Sequence, residues 1–373
     1  MKKAFRVVIF IICISLLFSS CSKSSRRIND LTIVQAFAID ENRGKTEVEI
    51  QYLNLFANSG NTDQLQGNIT DVSESAGDNI SSAVFNASKT VSEDIFFGQN
   101  KVIVFGLDYA QKNIDEGIEY LLKSYDSRPD VLVSIGIPNA KSIVKSKENG
   151  AKIPAENIYS LMKLGEENGH SPAVTVCDLL NLYNDETSDI YLPVLSAEND
   201  NAKCEGTAIF SEGKYVAMLN ENETFGFLLA KNKLRGGILT VEVANIGTIS
   251  VDISYSKANK YVEIKNEKPV FCIDISAKLV VTETGKTIKS ILSESDYKNI
   301  QAACEKQMKK LCINAVSKCF KNKSDPFMCA RYLYMKNTGL YKEMKPVWKS
   351  NLEKIEIKTT VTSTLQRINN NTA

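Results

Sequence analysis

Hydrophobic and polar positions alternate with a period of two where the first strands are expected. Residues 31–40 (LTIVQAFAID) predict one strand, residues 41–44 a turn, and residues 45–56 a partner strand in which Val48 and Ile50 share one face. The chain therefore begins its folded part with a predicted β-hairpin.

A mixed order of helices and strands follows the hairpin. After a polar loop at residues 58–71, apolar residues recur every three or four positions over residues 72–91, which predicts a helix. Residues 100–105 predict a buried strand, residues 114–125 a helix and residues 130–137 a further strand. The resulting order ββαβαβ is typical of a mixed α/β unit.

The later part of the chain predicts three helices, a linker and two further groups of elements. The helices occupy residues 139–147, 154–168 and 174–184, and a short strand occupies residues 190–196. The polar stretch at residues 197–203 (AENDNAK) predicts a linker. Beyond it the pattern predicts, in order, a hairpin at 204–219, a helix at 222–232, strands at 237–245, 248–256, 260–265 and 269–282, helices at 294–321 and 325–337, and a strand at 355–364.

We expect an α+β protein of three domains, with mixed β-sheets flanked by helices, behind a cleaved lipoprotein signal peptide. Removal of residues 1–20 from the 373-residue chain leaves 353 residues. One hydrophobic core stops growing at roughly 250 to 300 residues. The expected division is a signal peptide at 1–20, a lipidated tether at 21–30, a mixed α/β domain at 31–197, a small β-rich domain at 198–268 and an α+β domain at 269–373.

The first twenty residues have the layout of a secretory signal. Lys2, Lys3 and Arg6 precede a mostly apolar run at residues 7–18, which covers roughly half of a bilayer core of about 30 Å. Cleavage is therefore expected, and the alternative of a membrane-spanning helix is disfavoured.

The signal ends in two small residues before a cysteine. Ser19 and Ser20 before Cys21 resemble the lipobox of bacterial lipoproteins, although Phe18 departs from the usual aliphatic residue. The resemblance implies that Cys21 carries an S-diacylglyceryl group and an N-acyl group, since two or more acyl chains anchor a protein stably. The alternative is ordinary signal cleavage with Cys21 as a bystander.

Charge and composition disfavour a nucleic-acid partner. The formal net charge is +1, and loss of Lys2, Lys3 and Arg6 leaves 42 basic against 44 acidic residues, a net charge of −2. Charges of both signs are interleaved, without a basic stripe or an aromatic platform. We therefore expect no nucleic acid to bind.

Seven cysteines remain beyond Cys21, an odd number that cannot all pair. Cys304, Cys312 and Cys319 are spaced for one face of a helix, which favours buried thiols. A disulfide from Cys329 to that helix is the alternative, because export permits disulfides. The spacings between the cysteines do not favour a metal site, and we expect no bound metal.

The sequence carries little that favours catalysis. His170, the only histidine, lies in a polar run and is interpreted as an exposed loop residue. The GKT triplets at 44–46 and 285–287 lack the upstream glycine of a phosphate-binding loop and predict hairpin turns. We expect no catalytic residues, no cofactor and no enzymatic activity.

Four aromatic residues are predicted to lie either in the core or in an aromatic interaction patch on the surface: Phe327, Tyr332, Tyr334 and Trp348.

Four short motifs occur in order behind the lipobox. They are Arg27–Leu31 (RINDL) with a strand ending at Asp40, Lys101–Gly106 (KVIVFG) after Phe96-Phe97-Gly98, Gly206–Phe210 (GTAIF) with Gly226 beyond it, and Asp325-Pro326-Phe327 followed by a helix, Trp348 and a closing strand. In order and spacing the chain resembles the Ger(x)C family, the C-subunit lipoproteins of spore germinant receptors, over nearly the whole mature length. It departs from that family at Ser22-Lys23, where a Trp-Asp pair is usual, and at Met328–Ala330.

The resemblance implies a non-catalytic lipoprotein on the outer face of the spore inner membrane. Such a protein would assemble with the integral-membrane A and B subunits of a germinant receptor, be held to the lipid bilayer by its anchor, and take part in nutrient-triggered spore germination. The alternative is an extracytoplasmic solute-binding lipoprotein that captures a nutrient between domains for a membrane transporter.

Overall fold

The computed structural model describes residues 30–54, 69–123, 128–146, 153–199, 201–284 and 292–366. It contains two mixed β-sheets with helices packed against them, which confirms the predicted α+β class. The predicted signal peptide, Cys21, most of the polar loop at 58–71 and the second GKT triplet lie outside the described residues.

The larger sheet has nine strands in the order β3-β2-β1-β5-β6-β7-β8-β9, with β4 paired to β1. The strands are β1 (Leu31–Asn42), β2 (Lys45–Leu53), β3 (Thr70–Gly77), β4 (Asp94–Phe96), β5 (Val102–Gly106), β6 (Leu132–Ile137), β7 (Tyr191–Glu198), β8 (Asn201–Ser211) and β9 (Lys214–Leu219). Strands β1, β5, β6 and β7 run parallel. Their carboxyl ends therefore lie at one side of the sheet, here called the carboxyl edge, and their amino ends at the other, the amino edge.

A two-residue turn joins β1 to β2 within the predicted turn at residues 41–44, whose first two residues belong to β1. Arg43 (φ 50°) and Gly44 (φ 77°) both adopt left-handed backbone conformations, between the paired residues Asn42 and Lys45. Such turns match the right-handed twist of the flanking strands. Gly44 of the first GKT triplet thus lies in a hairpin turn, and Lys45 and Thr46 begin β2.

Helices cover both faces of the larger sheet: α1 (Ile80–Ala87), α2 (Leu107–Lys123), α3 (Ala140–Val144), α4 (Pro154–Glu167) and α5 (Val176–Tyr183). Successive side chains of a strand point to opposite faces. Phe37 and Phe105 therefore pack into one core, and Ala38 and Val104 into a second core on the other face. Burial on both faces explains the continuous apolar runs of β1 and β5.

The helix predicted over residues 72–91 is wrong in its first third. Residues 70–77 form β3, paired antiparallel with β2, and helix α1 covers only Ile80–Ala87. The inward-facing Ser73 is polar and bonds to Thr90 (Oγ–Oγ1 2.8 Å), which hides the period of two. Asn79 begins the helix, because its side chain accepts from the Ser82 amide.

The smaller sheet has the order β10-β11-β12-β13, and β13 runs parallel to β12. Its strands are β10 (Ile238–Val243), β11 (Gly247–Lys265), β12 (Lys268–Thr284) and β13 (Glu356–Gln366). The accompanying helices are α6 (Glu221–Lys231), α7 (Glu294–Lys321), α8 (Cys329–Lys336), α9 (Thr338–Met344) and α10 (Trp348–Asn351). Helix α7 packs against both β13 and α6.

Three element predictions in the second half are corrected. The stretch at 197–203 is the tip of the β7–β8 hairpin instead of a linker, with Asn199 in a left-handed conformation. Residues 248–256 and 260–265 belong to one strand, β11, and the helix predicted from 325 begins at Cys329. Strand pairing continues across residues 198 and 269, and the domain boundaries placed there stay predictions.

Candidate functional site

A cleft opens at the carboxyl edge of the larger sheet. In open sheets with parallel strands, ligands bind outside the carboxyl ends of those strands. The cleft measures about 410 Å³ and lies over the end of β1, beside α3. Its lining residues are Asp40, Asn42, Glu47, Val48, Glu49, Glu74, Ser75, Ala76 and Lys141.

Asp40 connects the end of β1 to the start of α3. Its carboxylate accepts from the backbone amides of Ala140 (2.8 Å) and Lys141 (2.9 Å), two of the donors that a helix start leaves unpaired. Burial raises the pKa of Asp40, and these two hydrogen bonds oppose the rise. A Cβ atom at Gly106 would lie 1.9 Å from Asp40 Oδ1, so β5 needs a glycine at its last position.

Glu49 lies on β2 with only 3% of its surface exposed. Burial raises its pKa to about 7, although Lys145 favours the charged form. The Lys145 Nζ lies 3.2 Å from Glu49 Oε2 without hydrogen-bond geometry, and neither carboxylate oxygen has a hydrogen-bond partner among the described residues. Glu49 is thus a buried acid that has one lysine beside it but no hydrogen bond among the described residues.

Glu74 on β3 lies opposite Glu49 in the strand pair, but its pKa is lowered instead of raised. Both Lys141 and Lys145 pair with its carboxylate, and they lower the pKa of Glu74 to about 2. Lys141 in α3 and Lys145 directly after it therefore bridge this helix to the edge strand β3. The cleft offers carboxylates, amines and amides for binding a polar solute; Ser75, the hydroxyl in its lining, already donates to the Ala83 carbonyl (2.6 Å).

A second polar centre joins the two sheets. Asp325 is 1% exposed, and its carboxylate accepts from the amides of Cys329 and Ala330 (2.9 Å each) at the start of α8. Asp189, just before β7, accepts from the Asp325 amide and pairs with Lys349. Burial raises the pKa of Asp325 to about 6.

Two serine hydroxyls tighten the same junction. Ser211 donates to the Lys323 carbonyl and Ser324 donates to the Phe210 carbonyl, both at 2.6 Å. The Lys231 amine donates to the Pro326 carbonyl (2.6 Å), and burial lowers its pKa to about 7. The segment before α8 is therefore bonded to β8, to α6 and to the loop before β7.

A groove of about 510 Å³ lies between the end of α4 and strand β10. Asn168 and His170 line it from the first half of the chain, and Ile238 and Gln307 from the second. His170 is exposed in a loop, as predicted, with its Nδ1 atom 3.7 Å from Glu221 Oε1.

Two family models match the chain in sequence order. The model described as "Spore germination protein N-terminal domain" matches residues 24–197, and that described as "Spore germination B3/ GerAC like, C-terminal" matches residues 205–369. The chain belongs to the GerAC family of spore germination proteins. This confirms the resemblance recognised in its motifs.

Curated relatives of this GerAC family member extend along most of its length. The spore germination protein GerQC of Bacillus cereus is 25% identical over 327 residues, covering 86% of this chain and 88% of that protein. Spore germination protein B3 of Bacillus subtilis is 22% identical over 333 residues, covering 86% and 87%. The crystal structure of the GerBC protein matches with a TM-score of 0.60 at 18% identity, covering 89% of this chain and 97% of that one, and shows a shared fold.

The motifs of this GerAC family member occupy structural junctions. Asp40 and Gly106 meet at the start of α3, and Asp325 caps α8. The family resemblance identified these positions, but no sequence pattern indicated which backbone amides they accept hydrogen bonds from. Asp189, Glu49 and Lys231 were missed, because isolated charged residues carry no signal of burial.

Other predicted residues divide between core and surface. Cys304, Cys312 and Cys319 are buried along one face of α7, as predicted, and Cys329 is a free thiol instead of a disulfide partner. Phe327 and Trp348 belong to the core, whereas Tyr334 is 48% exposed.

In the described ranges no group of three or more His, Cys, Asp or Glu residues could hold a metal ion. Across those same ranges, no helix has the length and apolar character needed to span a membrane.

Proposed function

We propose that this protein is the non-catalytic lipoprotein subunit of a spore germinant receptor, needed for nutrient-triggered germination. The observation that supports this most strongly is the match of both GerAC family models, in order, to residues 24–197 and 205–369. Relatives named as spore germination proteins cover at least 86% of the chain. The proposal assigns this chain a role in assembly and signalling without a chemical step.

The proposed location is the outer face of the spore inner membrane. Lipid on Cys21 is the proposed anchor, and the integral-membrane A and B subunits are the proposed partners. Confinement to the membrane raises the effective concentration of the protein beside such partners, so that modest interfaces suffice.

Spores of a strain that lacks this gene provide the first test. Dipicolinic acid release after nutrient addition is the measurement, and a receptor-independent trigger is the control. We expect the nutrient response to be lost while the control response stays intact. A nutrient response that is unchanged in a strain carrying no other receptor of this type would contradict the proposal.

Cys21→Ala tests the anchor. We expect this variant to leave the membrane fraction in high salt, because no acyl chains remain to hold it. Cys13→Ala is the matched control, since that cysteine lies within the apolar run of the signal. A Cys21→Ala protein that stays fully membrane-bound in high salt would exclude the anchor.

The second candidate is a solute-binding lipoprotein, and the groove between α4 and β10 is the observation that favours it. A bound solute raises the stability of the folded state by mass action. A nutrient that raises the melting temperature of the wild-type protein, but not of a Gln307→Ala variant, would support this alternative.

A further inference from the structure

We propose that the amino edge of the larger sheet faces the lipid headgroups, with the carboxyl edge and its acidic cleft directed away from the membrane. The amino edge is formed by residues 30–32, 93–101, 122–123, 128–131 and 175–177. This inference rests on the proposed lipid anchor at Cys21, and its partner is the bilayer surface itself.

Chain length restricts how far this edge can lie from the anchor. The first described residue, Asp30, follows Cys21 by nine residues, and nine extended residues span at most about 30 Å. Strand β1 starts at Leu31 and carries the chain away from that point for 12 residues, or about 40 Å at the usual rise of a strand. The amino end of β1 is therefore the part of the sheet tied closest to the membrane.

Backbone hydrogen bonds place several segments together at this edge. Leu31 pairs with Asp94 of β4, and the Leu132 amide of β6 donates to the Lys101 carbonyl (3.0 Å). The Cys177 amide at the start of α5 donates to the Pro129 carbonyl (3.0 Å). Helix α2 starts directly after β5 and returns toward this edge, ending at Lys123.

The side chains at the amino edge suit a headgroup layer. Leu122 is 53% exposed, and the Lys123 side chain beside it is 73% exposed. Phe96, the last residue of β4, and Phe97, which follows it, are half-buried. An exposed apolar side chain beside a basic one, as at Leu122 and Lys123, matches the boundary between acyl chains and anionic headgroups.

Charge distinguishes the two edges. Three basic residues, Lys23, Arg26 and Arg27, lie between the anchor and Asp30, and anionic lipids attract basic segments next to an anchor. Four acids, Asp30, Glu93, Asp94 and Asp130, and three bases, Lys101, Lys123 and Arg128, lie in the amino edge itself, so the three basic residues of the tether bring this end to a net charge of +2. At the carboxyl edge six carboxylates, Asp40, Glu41, Glu47, Glu49, Glu74 and Asp78, face five basic residues, Arg43, Lys45, Lys112, Lys141 and Lys145, a net charge of −1. An anionic bilayer would therefore attract the amino edge with its tether more strongly than the carboxyl edge, which favours the proposed orientation.

A native thiol serves as the probe for this orientation. Cys177 is exposed, whereas the other six cysteines of the described chain are buried or partly buried. Burial also raises the pKa of the half-buried Cys204 to about 11, so a thiolate-selective fluorophore labels Cys177 first. The control is Cys177→Ser combined with Lys45→Cys, which moves the label to the exposed turn at the carboxyl edge.

The experiment places the full lipidated protein on vesicles that contain anionic lipid and headgroup-attached nitroxide, a short-range quencher. We expect the fluorophore at Cys177 to be quenched several-fold more than the fluorophore at position 45. Equal or reversed quenching on vesicle-bound protein overturns the orientation and leaves the anchor intact. Protein that fails to co-sediment with vesicles overturns the anchor, and the orientation with it.

A pair of surface variants tests the contact directly. Leu122→Glu should weaken quenching at Cys177 by at least twofold, because a charge would replace the apolar contact. Leu164→Glu is the matched control, since Leu164 is also 53% exposed but lies on α4, away from the amino edge. Equal effects of the two variants would exclude Leu122 from the lipid contact and overturn the proposed surface.

Discussion

The molecule contains two kinds of buried or half-buried carboxylate, and they differ in the hydrogen bonds that the backbone gives them. Asp40 and Asp325 each accept from two amides at the start of a helix. Glu49 is buried like Asp325, whereas Asp40 is half-buried, but Glu49 receives no hydrogen bond from the described residues. Burial raises the pKa of all three. The comparison indicates that a raised pKa alone does not separate a structural acid from a dispensable one.

Asp325→Ala should give the largest loss of stability. Two buried amides would lose their acceptor, which costs about 2 to 4 kcal/mol in the free energy of unfolding. Urea unfolding at pH 7 measures this loss. The matched control is Asn220→Ala at the exposed start of α6, where removal of a cap costs about 1 kcal/mol. Equal losses would refute the special role of Asp325.

Glu49→Gln should act in the opposite direction and stabilise the protein above neutral pH. The folded state holds the pKa of Glu49 at about 7, above its ordinary value of 4.5. The unfolded state therefore loses its proton first as pH rises, and stability falls between about pH 4.5 and 7. Glutamine cannot ionise, so the variant avoids this loss.

Unfolding of Glu49→Gln at pH 5 and pH 8 measures the effect. We expect a gain of about 1 to 3 kcal/mol at pH 8 and little at pH 5. Glu74→Gln is the control, because its lysine partners lower the pKa of Glu74 and its removal should bring no gain. A Glu49→Gln protein less stable than wild type at pH 8 would mean that Glu49 acts as a structural acid.

Gly106→Ala should produce the smallest change in the free energy of unfolding. It tests whether Asp40, like Asp325, stabilises the protein by accepting from amides at the start of a helix. The added Cβ would displace the Asp40 carboxylate from the Ala140 amide, at a cost of about 1 to 2 kcal/mol. In an Asp40→Ala background the overlap disappears, so the same glycine substitution should cost less. Additive effects in this double-mutant cycle would disprove the coupling.

Sequence patterns predicted most elements but not the contacts between them. Helix α7 and the β8–β9 hairpin follow from strong local signals, an extended apolar face and a Glu212-Gly213 turn with both residues in left-handed conformations. Strand β3 was missed because its inward-facing positions are serines. The hydrogen bond from the Asp325 amide to Asp189 connects residues 136 positions apart, beyond the reach of any local pattern.

Thiol chemistry distinguishes the two halves of the molecule. Five buried cysteines, Cys272, Cys304, Cys312, Cys319 and Cys329, all lie in the half that contains the smaller sheet, and burial raises the pKa of each. An alkylating reagent can reach them only when that half opens. Their modification rate would therefore measure how fast the smaller sheet opens, while the exposed Cys177 reacts without any opening.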